Sequence, residues 1–222
     1  MPRPTPADGG GARYFGVYPA LVTDIVDPDS LGRVQVRFPW LGTDGDRDVR
    51  AWATLCSPYA DDEQGLEILP EVDSQVVVAF EAGDLRRPYV LGAAWNGKTT
   101  LPHSPEAANN IRILRSRADS RLEFDDTKGS AKVSLTMASG HQIILEDAPP
   151  QITIQHSNGC VLRMTPAGSI EINANVSLDV TAPTVNVTAP VSTFSGIVHC
   201  NTLITDSFVV SPAYTPGVGN IW

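Results

Sequence analysis

From Ser169 onward, apolar and polar positions alternate strictly. Ile170, Ile172, Ala174, Val176, Leu178, Val180 and Ala182 fall on one side, and Glu171, Asn173, Asn175, Ser177, Asp179 and Thr181 on the other. A period of two is the signature of a strand with one buried face. The phase shifts at Pro183 and the pattern resumes with Val185, Val187, Ala189 and Val191. Three short units line up, IEINAN from Ile170, LDVTAP from Leu178 and VNVTAP from Val185, a degenerate repeat of seven to eight residues.

Shorter stretches of the same kind precede it. The pattern predicts strands over Val17 to Val26, Arg33 to Phe38, Val49 to Ser57, Gln75 to Glu81 and Arg87 to Trp95. The run QVVVAFE has no polar interruption and is expected to be buried on both faces. Turn chemistry separates these runs: Asp27-Pro28-Asp29-Ser30-Leu31-Gly32, charged loops over 43–48 and 58–65, Ala82-Gly83-Asp84, and Asn96-Gly97. Five short strands at this spacing suit a small antiparallel barrel, for which the five-stranded OB type is the natural candidate. After a linker, HSPEAANN, further strands are expected at Leu122 to Phe124, Lys132 to Met137, Gln142 to Leu145, Gln151 to Gln155 and Val161 to Met164. Their separators are Lys128-Gly129, Ser139-Gly140, Ala148-Pro149-Pro150 and Asn158-Gly159.

The C-terminal stretch has no protection for its strand edges. No Lys or Arg occurs in the 59 residues after Arg163, and no Asn-Gly or Asp-Gly hairpin signal lies between Ser169 and Val210. Exposed strand edges are normally blunted by charge, bulges or coverage, and uncharged β-prone segments aggregate unless something pairs with them. Identical chains covering one another resolve this. The stretch is expected to be a symmetric fraction, such as one third, of an intertwined β-helical rod.

Composition narrows the partners. The 222 residues carry a net charge of −9, with 9 basic and 15 acidic side chains in residues 1–104 and 7 and 10 in the remainder. This is not the footprint of a nucleic-acid surface, and the one basic cluster is Arg112, Arg115, Arg117 and Arg121. The 18 Pro and 18 Gly beside many Val and Thr favour an all-β chain. MPRPTPADGGGARYF has no apolar core of a secretory signal, so synthesis in the cytoplasm is expected. Cys56, Cys160 and Cys200 lack zinc or CxxC spacing and read as reduced and buried.

Three segments carry a resemblance: DPDSLGRVQVRFPW, AWATLCSPYA and ILPEVDSQVVVAFEAGDLRRPYVLGAAWNGK. In order and spacing, over residues 15–102, they resemble the OB-fold domain of phage baseplate spikes, a family that takes in gpV-type spikes, VgrG proteins and the spikes of extracellular contractile injection systems. One departure is Asp73-Ser74, where the family usually has Gly-Asp, and it bears on the local turn geometry. FDDTKGSAKVSLTMASGHQIILED is similar to the segment joining barrel to needle in VgrG-like spikes. The resemblance implies a homotrimer with a three-chain β-helical needle. The expected architecture is all-β, with an N-terminal OB-fold barrel followed by an intertwined trimeric β-helix. Its parts are a leader over 1–13, the OB domain over 14–102, a neck and start of the β-helix over 103–168, the needle over 169–210 and a tip over 211–222.

Candidate chemistry is sparse. The four histidines (103, 141, 156 and 199) accompany no GxSxG elbow, Asp125-Asp126 and Asp61-Asp62-Glu63 lie in turn signals, and Gly9-Gly10-Gly11 lacks the flanks of a phosphate loop. The reading is therefore not an enzyme, and no cofactor is expected. His199 is the sharpest metal candidate, because three-fold symmetry would place three copies around one axis; a packed or outward-facing histidine is the competing reading. Related phage spikes often end in a His-x-His pair holding iron near the tip, and this chain has Pro212-Ala213-Tyr214-Thr215-Pro216-Gly217 there. The resemblance then implies a structural central spike that connects a separate baseplate hub to a membrane-piercing tip. A PAAR-like tip protein is expected on Phe208, Val210, Tyr214, Ile221 and Trp222, and the target membrane is met on firing. The competing class is an OB module binding nucleic acid or glycan on a fibrous oligomeric stalk.

Overall fold

The computed structural model describes residues 13–44 and 47–211 of the chain. The leader up to Ala12 and the tip residues Tyr214, Ile221 and Trp222 lie outside the described residues. The chain forms two units, residues 1–175 and residues 176–222.

The first unit opens with the barrel. Its strands are β1 (Val17–Asp24), β2 (Arg33–Arg37), β5 (Arg50–Leu55), β8 (Gln75–Phe80) and β9 (Pro88–Ala93), and they close in the order β1-β2-β5-β9-β8. The loops at 43–48 and 58–65 each contain a two-residue ladder, β3 (Thr43–Asp44) with β4 (Arg47–Asp48) and β6 (Ala60–Asp61) with β7 (Gln64–Gly65). All contacts are antiparallel except β5 with β9, which is parallel. The alternation places one side of each strand inward. Ala20 and Val22, Val34 and Val36, Ala53, Val76 and Val78, and Val90 are buried, with Phe38 and Phe80 completing the core. Tyr14, Tyr18, Trp40, Phe38 and Phe80 close one end as an aromatic cluster; Tyr18 and Trp40 stack at 4.6 Å, and the Trp40 indole donates to the Pro19 carbonyl. The expectation that Gln75 to Glu81 is buried on both faces is corrected here: Val76, Val78 and Phe80 are buried, whereas Val77 and Ala79 lie on the outer, half-buried side. A barrel strand has only one inward face, and the extra valine covers the outside of the wall.

Two turns show how sequence sets the barrel. The Asp27 carboxylate accepts the backbone N–H groups of Asp29, Leu31 and Arg33 and is clamped by the Arg33 guanidinium at 2.7 Å, so one side chain organises the whole β1–β2 loop. Asp73 has φ +68°, a conformation that glycine adopts freely and Asp tolerates. The family glycine position is thus occupied by a residue that keeps the turn.

The second part of this unit is a seven-stranded antiparallel meander: β10 (Ile111–Arg115), β11 (Arg121–Asp125), β12 (Lys132–Thr136), β13 (Gln142–Asp147), β14 (Pro150–Gln155), β15 (Val161–Met164) and β16 (Ile170–Asn173). Alternation does not mark β10, because Ile113-Leu114 breaks the period and its arginines read as a cluster. The meander packs no helix or second sheet on itself, and its one buried side chain is the polar Thr153.

In the second unit, residues 176–211 form no helix or strand, and their apolar side chains are exposed, from 58% at Val198 to 98% at Ile197. Cys56 and Cys200 are exposed and Cys160 is half-buried, all as free thiols, which corrects the expectation of buried cysteines. Among the described residues, no helix is long and apolar enough to cross a membrane.

Candidate assembly interface

The register of the meander sorts its side chains into faces. Paired residues share a face, and successive residues alternate. One row across the strands runs Arg112, Phe124, Val133, Leu145, Ile152, Met164 and Ile170. The next row on the same face runs Leu114, Leu122, Leu135, Ile143, Ile154, Leu162 and Ile172. Thirteen of these fourteen positions are apolar. The opposite face carries Glu123, Ser134, Thr153, Arg163 and Glu171 in its middle row, with Ile113 and Ile144 as exceptions.

The apolar face is the more exposed of the two. Leu114 is 57% exposed, Phe124 43%, Leu135 46%, Ile143 39%, Ile154 44% and Ile172 57%. Monomeric soluble proteins rarely leave so continuous an apolar surface, and a contiguous patch of this kind marks an interaction site. Turn glycines fix much of the register that builds it: Gly129, Gly140, Gly159 and Gly168 sit at positive φ in four of the six hairpin connections.

The predicted basic cluster is consumed by carboxylates. Arg112 pairs with Asp126 at 2.8 Å, Arg115 and Arg121 share Asp119 at 2.6 and 2.9 Å, and Arg117 reaches Glu71 of the barrel at 3.1 Å. The Arg121 guanidinium, with Arg115 beside it, holds the Asp119 carboxyl below its usual range. Asp125 is held low chiefly by the Thr127 hydroxyl and backbone N–H, which makes it a turn anchor in place of half of an acid/base pair. Asp61 and Glu63 belong to the β6–β7 turn.

His156 lies against His141 with ring centroids 4.3 Å apart, a pairing that chain separation concealed. Each Nδ1 accepts a backbone N–H, from Asn158 and Ser157 respectively, so each imidazole is tied to a turn. His199 is exposed, and among the described residues no three side chains capable of holding a metal gather anywhere. Phe208 and Val210 are 87% and 92% exposed. His103 lines a cavity of about 240 Å³ with Pro105, Glu106, Asn109, Asn110, Ile111 and Thr127 at the start of the meander.

Comparison with known proteins bears on the barrel and on about half of the chain. Residues 18–95 match the model of the type VI secretion system/phage-baseplate injector OB domain. The chain is 25% identical over 124 residues to the type VI secretion system spike protein VgrG3 of Vibrio cholerae, an alignment covering 53% of this chain and 12% of that protein. It is 24% identical over 128 residues to the spike protein VgrG1b of Pseudomonas aeruginosa, covering 54% and 17%. A third relative, the actin cross-linking toxin VgrG1 of Vibrio cholerae, is 25% identical over 113 residues, covering 48% and 10%. The chain thus spans less than a fifth of the length of these relatives. The five-stranded barrel and the matched residues show a type VI secretion system/phage-baseplate injector OB domain over residues 18–95, and the chain is similar to VgrG spike proteins over about half of its length.

Proposed function

We propose that the chain is the central spike of a contractile injection system, a homotrimer whose meanders and tails form the shaft. The observation that carries this reading is the uncovered two-row apolar ladder. Its shape supports an axis along the stripe. Seven strands span about 29 Å across the sheet, while the two rows lie only about 7 Å apart along the strands. A three-fold axis running along this narrow stripe brings three stripes together and fills a dry core. An axis parallel to the strands would instead close 21 strands into a ring, and rings of 16 to 18 strands already enclose an aqueous channel.

The tail follows the same logic. Val176, Leu178, Val180, Val185 and Val187 are exposed and have no strand partner among the described residues, and wrapping about two other copies buries them as a β-helical needle. Its work is mechanical: interlocked strands resist compression, because one cannot open without disturbing the others. In this reading the barrel is held by a separate hub protein, and a PAAR-like protein caps the end around Phe208 and Val210 through Tyr214, Ile221 and Trp222. The particle is delivered outward against a target membrane. His199 is an axial metal site only in such an assembly. A mechanical role is further supported by the internal pairing of all four clustered arginines, which leaves little basic surface for nucleic acid.

Solution mass tests the assembly. A species at three times 23.8 kDa, about 71 kDa, is expected, and a stable monomer at micromolar concentration would sink the proposal. The cap is tested by mixing with a PAAR-like protein. Binding should disappear when Ser211 to Trp222 is deleted, and no association with the full chain would remove the cap from the reading.

A further inference from the structure

The apolar face of the meander is flanked by one further row at each end of its strands. Beyond the Leu114 row stand Ser116, Ser120, Met137, His141 and His156, aligned by the backbone pairs Ser116–Ser120 and Met137–His141 and by the His141–His156 ring contact at 4.3 Å. Beyond the Arg112 row stand Asn110, Asp126, Ala131, Asp147 and Pro150, aligned by the pairs Asn110–Asp126, Ala131–Asp147 and Asp147–Pro150. Both rows fall on the apolar face, two residues out from it, and lie about 20 Å apart along the strands.

The two rows carry opposite hydrogen-bonding capacity at β13 and β14. The Nδ1 atoms of His141 and His156 accept the backbone N–H groups of Ser157 at 3.3 Å and Asn158 at 3.1 Å. An imidazole whose Nδ1 accepts carries its proton on Nε2. The stacked pair therefore presents two Nε2–H donors side by side, and neither has a partner among the described residues. At the other end of the same strand as His141, Asp147 is exposed, and its carboxylate accepts no hydrogen bond and forms no ion pair among the described residues. Arg115, Arg121 and Glu146 belong to the opposite face of the sheet.

In the trimer proposed above, on which this step rests, the copies are related by rotation alone. Three sheets around an axis along the stripe make a triangular prism, and each corner brings the serine–histidine row of one copy to the Asn110–Pro150 row of the next. Rotation keeps every residue at its own height, so each strand end meets the opposite end of the same strand in the neighbouring copy. Ser116 then faces Asn110, Ser120 faces Asp126, Met137 faces Ala131, His141 faces Asp147 and His156 faces Pro150: hydroxyls meet an amide and a carboxylate, and a thioether meets a methyl group. We infer that each corner is fastened at β13 and β14 by Asp147, whose two carboxylate oxygens accept the Nε2–H groups of His141 and His156 from the adjacent copy. Adjacent strands are about 4.8 Å apart, so one carboxylate reaches both rings. The contact is heterologous and closes because the rotation closes. It fixes the sense in which the copies follow one another, which an apolar stripe alone does not.

Substitutions in the full chain test it. His141→Asn with His156→Asn puts an amide oxygen where each Nδ1 stood, so the turns keep their bonds from Ser157 and Asn158 while both Nε2 donors are lost. This variant, and separately Asp147→Ala, should each raise the concentration at which the trimer dissociates by about tenfold or more in sedimentation equilibrium. All three changes together should weaken the trimer no further than the more damaging of the two, because the same contact is lost either way. An unchanged dissociation in either variant, or losses that multiply in the combined one, overturns the contact and leaves the trimer standing. Cross-linking reads the level directly. With Cys56→Ser, Cys160→Ser and Cys200→Ser in place, a short bismaleimide should join His141→Cys/Asp147→Cys chains into covalent trimers. Ser116→Cys/Asp147→Cys chains, whose paired residues stand three strand spacings or about 14 Å apart in height, should stay unlinked. No linkage in the first, or equal linkage in both, overturns the contact, and a monomeric wild-type chain overturns both the contact and the trimer.

Discussion

Leu135 sits in the second row of the ladder, between Leu122 and Ile143 on the flanking strands. In the single chain it is 46% exposed, so about half of its side chain remains to be covered. Full burial of a leucine is worth about 1.5–3 kcal/mol, so completing it contributes about 1 kcal/mol per chain and about 3 kcal/mol for a three-copy layer. Leu135→Ala should therefore shift the trimer dissociation constant by roughly two orders of magnitude, since about 1.4 kcal/mol is tenfold. Leu135→Asp should abolish the trimer, because three carboxylates would meet on one axis and each buried ion costs several kcal/mol more. Sedimentation equilibrium reads the mass, and near-ultraviolet circular dichroism of the Tyr18–Trp40 cluster reports that the barrel stays folded. On an isolated monomer the same position is a surface site, where substitutions fall within about 0.5 kcal/mol and an aspartate only improves solubility. A Leu135→Asp chain with unchanged mass and melting temperature would refute the reasoning.

Three further outcomes concern the barrel. Gly83→Ala should lower its stability by about 1–3 kcal/mol in urea titration, because φ is +78° and the new Cβ would stand 3.0 Å from the Tyr14 backbone nitrogen. At Asp73, glycine should fold within about 0.5 kcal/mol of the parent, and valine should lose about 1–2 kcal/mol, since only the β-branched residue resists positive φ; equal stabilities would remove the turn argument. Asp27→Asn should lower the melting temperature at neutral pH by loosening the β1–β2 loop. The Arg33 guanidinium and three backbone N–H groups hold the Asp27 carboxyl far below the usual range, so its contribution is complete above the ordinary carboxylate pKa of about 4 and fades only as pH falls below it. The difference between parent and variant should therefore be flat from about pH 7 to 5 and shrink below about pH 4; a difference that grows in acid would contradict this.

Much of the barrel is legible in the residues themselves. Val34 and Val36, Val76 and Val78, and Val90 alternate with polar or outer positions, and turn residues mark each end, so five strands follow directly. The misreadings have physical causes. Val77 looks like a second buried face because alternation reports apolarity, whereas burial depends on which side of the wall a residue lies. Strand β10 escaped because Ile113-Leu114 places an apolar residue on each face. Each apolar position of the ladder is visible from alternation, but the ladder is not. Only the register sets Leu114, Leu122, Leu135 and Ile143 in one line, and register is decided by turn length. The His141–His156 contact is invisible for the same reason.

The meander and the tail share one periodicity, yet only the meander pairs within its own chain. Turn chemistry separates them. Gly129, Gly140, Gly159 and Gly168 each reverse the chain at positive φ, and the connection from β13 to β14 runs through Ala148-Pro149. From Ser169 to Val210 the single glycine is Gly196, which is not at positive φ, and the prolines at 183 and 190 interrupt strands without supplying a left-handed residue. A two-residue hairpin needs such residues. The tail therefore keeps the apolar pattern of a sheet while lacking the means to build one alone. Backbone groups and valines left open in this way call for strands from other chains, and the uncovered ladder before them calls for the same partners. In the proposed assembly, the lack of such turns after Gly168 leaves β16 as the last strand paired within the chain and the residues beyond it to pair with copies.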